Sequence, residues 1–288
     1  MRMPETVFEL AERFMDGSKH VTMNHPRINS ISEQMKKDGR LKMDLIDEND
    51  YFKSILVELV ADSINYCYWY GRSDVRPGNA QSSYMYELLS NAFFDYETAD
   101  TNSFSTCIER FISLLSVHRF PLIEERVKHL RELIPEAEEY TLTVLDNDKN
   151  NEEVFHFLFN ELVTNFPGYS SDMFLKRASL FFIQLYRRYG WYSDILKKLH
   201  IPADYQVPKL LNYFGCFYYS DALNQKILNN IHIPKWSEEE CEIRSATILT
   251  AKMLCELTGW NVADVDSWFF MRRKEVTTPF HLTITTDY

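Results

Sequence analysis

Glycine is scarce in this chain. Only 8 occur in 288 residues, and none falls in the GxGxxG or GxxxxGK spacing that wraps backbone N–H groups around a phosphate. The common nucleotide-cradling loops are therefore absent. Cysteine supplies no framework either. The five cysteines, at 67, 107, 216, 241 and 255, form no CxxC pair and no cluster with histidine. Their odd number and spacing argue against a disulfide framework and against structural zinc, and a reducing cytoplasm is the simplest compartment. No run approaches the ~20 apolar residues that span a bilayer. The N-terminal MRMPETVFELAERFMDGSKH lacks the basic start and apolar stretch of a secretory signal and reads as a capped amphipathic helix. Positive charge is also short: 31 Lys and Arg stand against 42 Asp and Glu, a net charge of −11. A protein that grips long nucleic acid needs a basic face to displace counterions. DNA or tRNA is thus disfavoured as the main ligand, and a small anion met by a few local cations fits better. No metal-ligating set, cofactor motif or Ser/His/Asp order is present, so neither metal nor cofactor is expected. Nothing in the sequence speaks to oligomeric state.

Hydrophobic residues make up 45% and charged residues 25%, the range of an ordinary globular protein. The 20 Phe, 17 Tyr and 5 Trp suit either a large aromatic core or flat walls for a heterocycle. The dominant period is helical. Helices are expected over 51–68, 83–98, 104–116, 121–134, 151–164, 172–189, 237–258 and 262–273. Asn49 and Asp50 are candidate caps for the first, and Ser237 with Glu240 has the spacing of a capping box. Strand signals are few: Thr141–Leu145 (TLTVL) and His281–Thr286 (HLTITT) alternate, enough for a small hairpin or extended tails. Residues 70–82 form the clearest long loop. The reading is one mainly α-helical domain over 1–288, with an N-terminal helix and lead-in to about residue 50.

Five segments carry chemistry-bearing residues. In Ala203–Leu211 (ADYQVPKLL), Pro208 disfavours helix at Val207, so Asp204 and Tyr205 fall in a turn before a helix from about Pro208. An Asp there is ordinarily a helix cap, and the same position suits a catalytic carboxylate on a rigid element. In Phe174–Ala178 (FLKRA), Lys176 and Arg177 point about 100° apart on a helix, so one can face a pocket while the other does not. Around Glu242 and Arg244 (EECEIRSA), a surface ion pair is the default. Asn65–Trp69 (NYCYW) packs three aromatics into five residues, and Trp69 is a candidate to stack on a ligand or to fill an aromatic core corner. The C-terminal Pro279–Tyr288 (PFHLTITTDY) has a docking composition, with His281, Thr283 and Tyr288 placed to close over a pocket.

Together and in order, NYCYW, FLKRA, ADYQVPKLL, EIRSATI and Pro279–Tyr288 resemble the queuosine salvage protein family from about residue 50 onwards. ADYQVP followed by EEC and EIR is the most specific part. The resemblance implies a helical fold related to helical DNA glycosylases. The implied activity is that of a queuosine 5′-phosphate N-glycosylase, which releases queuine for reinsertion into tRNA. Position by position, Asp204 matches the catalytic aspartate, and Lys176, Glu242 and Arg244 match pocket or pocket-supporting positions. Asp266 matches a late acidic position, and His281 and Tyr288 match a closing tail that helps hold the phosphate. The chain departs from the family where Gln206 replaces Arg, Lys209 replaces Gln, and Leu282 replaces the Arg after the tail histidine. Lys209 compensates for one lost cation.

The chemistry suits these residues. Breaking an N-glycosidic bond builds positive charge on the sugar, and a carboxylate beside the anomeric carbon stabilises it and orients water. A 7-deazaguanine has carbon where purines carry the basic imidazole nitrogen, so protonation of the leaving base lacks its usual site. Oxocarbenium stabilisation by Asp204 and hydrogen bonds from a group such as Asp266 must carry more of the barrier. Trp69 would stack on the base, and Lys176 or His281 would meet an anionic group. Two rivals remain at this stage. A helical DNA-repair glycosylase conflicts with the charge of −11 and with the lack of a Gly-rich hairpin before Asp204. A non-catalytic binder of modified nucleosides fits the substitutions at Gln206 and Leu282.

Overall fold

Apolar residues recur at helical spacing through most of the chain, and the computed structural model describes the result over residues 4–42, 45, 50–69, 81–96 and 103–288. In order along the chain come α1 (Pro4–Met15), β1 (Val21–Met23), α2 (His25–Asp38), α3 (Tyr51–Ser63), α4 (Ser82–Ala92), α5 (Phe104–Val117), α6 (Ile123–Leu133) and α7 (Ala137–Asp146). They are followed by α8 (Glu152–Asn165), α9 (Pro167–Ser170), α10 (Lys176–Tyr189), α11 (Gln206–Tyr213), β2 (Phe217–Tyr219), α12 (Asp221–Leu228), α13 (Glu238–Thr258) and α14 (Val262–Met271). The fold is mainly α. Among the described residues, strand structure is limited to β1 and β2, which pair antiparallel with Val21 opposite Tyr219, and an isolated bridge between His232 and Leu282.

α13 is the longest helix and is buried on most of its surface, because α1, α2, β1, α11 and α14 all pack on it. Ser237 Oγ accepts from Glu240 N at 3.3 Å, and Gly259 ends the helix at φ 72°, a left-handed conformation that suits glycine. The Glu240 carboxylate reaches back to Trp236 N at 3.0 Å, one residue beyond the expected capping box. A second group is built on α3, which packs against α4, α6, α7 and α10. Asp50 Oδ1 caps α3 by accepting from Lys53 N at 2.9 Å, while Asn49 and residues 70–80 of the expected loop lie outside the described residues. α10 joins the two groups through its contacts with α3 and α14.

Several expectations change. The helix expected from about Pro208 begins at Gln206, with Val207 helical, because Pro208 falls in its first turn, where a missing N–H costs little. Thr141–Leu145 is not a strand but part of α7. Thr141 and Thr143 return their hydroxyls to the carbonyls four residues back, at 2.7 and 2.9 Å, and Ala137, Tyr140, Thr141 and Val144 are buried at helical spacing. A five-residue alternation was too short to outweigh that stripe. The helix expected from 172 begins at Lys176. Asp172 folds its carboxylate onto Phe174 N and Lys176 N at 3.0 and 2.9 Å, and Leu175 turns to φ 50°. The C-terminal segment is an extended tail: Ile233 N donates to Leu282 O at 2.8 Å, and Thr283 Oγ1 donates to Ile233 O at 3.0 Å.

Candidate active site

A cavity of about 1160 Å³ opens where the end of α3, α10, α11, α14 and the C-terminal tail converge. Its wall includes Asn65 and Tyr68 after α3, Tyr86 on α4, Lys176 and Arg187 on α10, Asp266 on α14, and Phe280 on the tail. Asp204, Tyr205, Gln206 and Lys209 come from the turn into α11 and its first turns. Of the residues singled out in the sequence, Lys176, Asp204, Tyr205, Lys209 and Asp266 meet here.

Asp204 is a helix cap and a cavity residue at once. Its Oδ1 accepts from Gln206 N at 2.7 Å and from Val207 N at 3.0 Å, at the start of α11. Those bonds fix the carboxyl group and leave Oδ2 without a hydrogen bond among the described residues. Burial pushes the carboxyl above the usual carboxylate range, opposed by the Lys176 ammonium and by the two N–H groups. The side chain keeps part of its surface open to the cavity, so the burial is depth within the protein rather than closure from solvent.

Lys176 sits opposite this carboxyl on the first turn of α10, 3% exposed, with Nζ donating to Asn65 O at 2.7 Å. Burial lowers its pKa, while the charges of Asp204 and Asp62 oppose the shift. An ammonium has three donors, and among the described residues one of them is used. Asp62 lies beneath, on the last turn of α3, where Oδ1 accepts from Asn65 Nδ2 at 3.2 Å and Oδ2 is buried without a hydrogen-bond partner among the described residues. Burial and the neighbouring Glu58 hold its carboxyl well above the ordinary range. Glu58 is itself buried, accepts the Tyr86 hydroxyl, and pairs with Arg188 at 2.9 Å. On the far wall, Asp266 Oδ2 pairs with Arg187 Nη2 at 2.5 Å. Arg187 also reaches Ser267 Oγ at 3.2 Å.

The turn after α3 is gripped by buried cations. Arg177 donates to Ser63 O, Arg126 to Ile64 O, to Tyr66 O at 2.5 Å and to Cys67 O at 3.1 Å, and Lys176 to Asn65 O. The carbonyl end of a helix carries partial negative charge, so cations gather there. They hold Cys67 at φ 40°, a costly conformation for a residue with a side chain. This explains NYCYW as a motif: its backbone serves the site as much as its rings do.

Five expected site residues lie elsewhere. Trp69 is 1% exposed and packs edge-on to His232 and against Phe280, so it backs the wall while Tyr68 and Phe280 form it. Glu242 accepts from the main-chain N–H groups of Lys19, His20 and Val21 at 3.0, 2.7 and 2.9 Å, and so docks the lead-in to β1 onto α13. Arg244 is no surface ion pair. It is fully buried, pairs with Asp172 at 2.6 Å, and donates Nε to Ala203 O at 2.9 Å. His281 Nε2 meets the Tyr288 hydroxyl at 3.1 Å inside the protein, and burial lowers the imidazole pKa to about 3. The tail therefore docks below the cavity and contributes Pro279 and Phe280 rather than His281 or Tyr288. Sequence reasoning missed Glu58, Asp62, Asp172 and Arg187. Glu58 and Asp62, four residues apart in the apolar ILVELVADS, were the available signal, since a charge inside an apolar helix is rarely idle.

All five cysteines are free and buried. Among the described residues, no helix is long and apolar enough to cross a membrane. The profile of the queuosine salvage protein family matches residues 49–267. The queuosine 5′-phosphate N-glycosylase/hydrolase of Dictyostelium discoideum is 25% identical, with 99% of both chains covered. The proteins of that name from Sphaerobacter thermophilus and Mus musculus are 26% and 24% identical, covering 66% and 68% of this chain and 65% of each relative. A helical chain whose lysine, aspartate and aromatic wall meet in one cavity, and whose sequence matches over this span, belongs to the queuosine salvage protein family.

Proposed function

We propose that the protein hydrolyses the N-glycosidic bond of queuosine 5′-phosphate and releases queuine for salvage into tRNA. The observation that carries this reading is the pairing of Asp204 and Lys176 in one cavity. Asp204 is clamped by two N–H groups, and the Lys176 ammonium on α10 opposes the effect of its burial. As the C–N bond breaks, the base leaves with the bonding electrons and the sugar gains positive charge. Asp204 stabilises that charge, orients a water molecule toward the anomeric carbon and accepts its proton as the new C–O bond forms; that proton then passes, directly or through solvent, to the nitrogen of the departed base, which restores the carboxylate. Because its carboxyl is raised by burial, it is a better base than an ordinary surface aspartate.

Asp266, fixed by Arg187, is the acceptor for the exocyclic amine and ring N–H of the base. Tyr68, Tyr205 and Phe280 supply the flat wall, with the Tyr205 and Phe280 rings 4.5 Å apart. Lys209 and the Lys176 ammonium meet the 5′-phosphate. Leu282 is 1% exposed and outside the cavity wall, so this position supplies no cation to the site. The free, buried cysteines fit a reducing compartment, the cytoplasm.

The test is incubation with queuosine 5′-phosphate and, in parallel, with queuosine, followed by chromatography for free base. Release from the phosphate is the expected result. No release from either, with one of them still raising the melting temperature, makes the protein a binder instead. Tight binding to duplex DNA at moderate salt would point to repair chemistry.

A further inference from the structure

The two groups placed in the reaction come from separate parts of the chain, and one buried ion pair touches both. Asp172 Oδ1 accepts from Phe174 N and Oδ2 from Lys176 N, so its carboxylate shapes the turn that starts α10 and sets where Lys176 emerges. The same two oxygens receive Arg244 Nη1 and Nη2 at 2.8 and 2.6 Å, a two-pronged contact with planar geometry. Arg244 Nε then donates to Ala203 O, the residue before Asp204, at 2.9 Å. Phe174 and Tyr288 cover the guanidinium from ring centroids 4.6 and 4.4 Å away, and Glu240 stands 3.5 Å off as a further acceptor. Neither Asp172 nor Arg244 lines the cavity. Both side chains of the pair are 0% exposed.

We propose that Asp172 is a positioning residue which, through Arg244, fixes the separation of Lys176 and Asp204. This rests on the roles given to those two residues above. A buried pair of this kind is weak evidence for stability, since an apolar replacement often serves as well. What it supplies is a fixed path from the backbone of one reacting group to the backbone of the other, and a lysine at 244 lacks the fork that makes the path.

The test compares Arg244→Lys and Asp172→Asn with the wild type, counting only molecules that melt cooperatively. The expected result is at least about a thirtyfold loss of kcat, with KM within about threefold. The double variant should lose little more than either single one, because both break the same link. Wild-type kcat per folded molecule overturns the proposal, as does a loss of the double variant equal to the product of the single losses. If Asp172→Asn fails to fold, Arg244→Lys alone decides on the kcat and KM criterion. Should the wild type release no base, the activity reading fails and amide exchange decides this claim. Positioning predicts faster exchange at Gln206, Val207 and Lys176 in Arg244→Lys, with α1 and α5 unchanged. Uniformly faster exchange, or none, rejects it.

Discussion

The ammonium of Lys176 donates to the main-chain carbonyl of Asn65 at 2.7 Å and ties α10 to the end of α3 across 111 positions of sequence. This bond gives a buried lysine a reason to exist. Its charge rests against the carbonyl end of a helix and between two carboxyl groups that burial drives toward the neutral form, Asp204 and Asp62.

Replacing Lys176 by Met removes one of the influences that hold the Asp204 carboxyl down. That carboxyl already stands above its ordinary range because of burial, and it rises further without the ammonium. The reaction uses the carboxylate, so the rate falls as pH falls through this pKa. The acid limb of kcat/KM therefore moves to higher pH in Lys176→Met, and kcat drops at least about tenfold, ~1.4 kcal/mol. An acid limb that stays in place or moves down refutes the coupling.

Asp204→Asn keeps an amide oxygen for Gln206 N and Val207 N, so α11 keeps its cap and the fold survives. The charge facing the sugar is lost. Base release should slow at least a hundredfold, ~2.7 kcal/mol of transition-state stabilisation, with a melting temperature close to wild type. Near-wild-type release would remove Asp204 from the chemistry.

Glu242 behaves in the opposite way. Truncation to Ala leaves the N–H groups of Lys19, His20 and Val21 without their acceptor. Denaturant unfolding should show about 3 kcal/mol of lost stability, given ~1–3 kcal/mol for an orphaned buried donor. Activity per folded molecule should stay within about threefold, and a larger fall would return Glu242 to the site.

Trp69 and Phe280 separate wall from backing. Phe280→Ala should raise KM about tenfold by removing a ring that lies against Tyr205, an aromatic contact worth ~0.5–1.5 kcal/mol beyond its area. Trp69→Phe should leave KM within about twofold. Equal effects from the two substitutions would put Trp69 in contact with substrate.

Much of this was legible from the residues. The mainly helical fold follows from apolar spacing, and the ordered motifs led to the family. Asp204, Lys176, Tyr205, Lys209 and Asp266 do converge on one cavity. Direction was harder to read than importance. A sequence shows that Arg244 and Glu242 sit one residue apart from Ile243. It cannot show that one reaches Ala203 and Asp172 while the other reaches residues 19–21, because those contacts cross 41, 72 and more than 200 positions. TLTVL failed for a related reason: local alternation competes with a helical stripe whose weight comes from packing on α3 and α8.

The cations gathered on residues 63–67 have a consequence for how the chain reaches its native state. Arg126 comes from 62 positions beyond Ile64, and Arg177 from 114 beyond Ser63. Local bonds such as Tyr66 N to Ile64 O at 3.0 Å leave most of the segment's carbonyls to these distant cations, so its full set of hydrogen bonds forms only when α6 and α10 have docked. Contacts over such separations form late, after chain closure has been overcome. The catalytic geometry should thus appear together with global folding, and partly folded forms of the protein should have no activity.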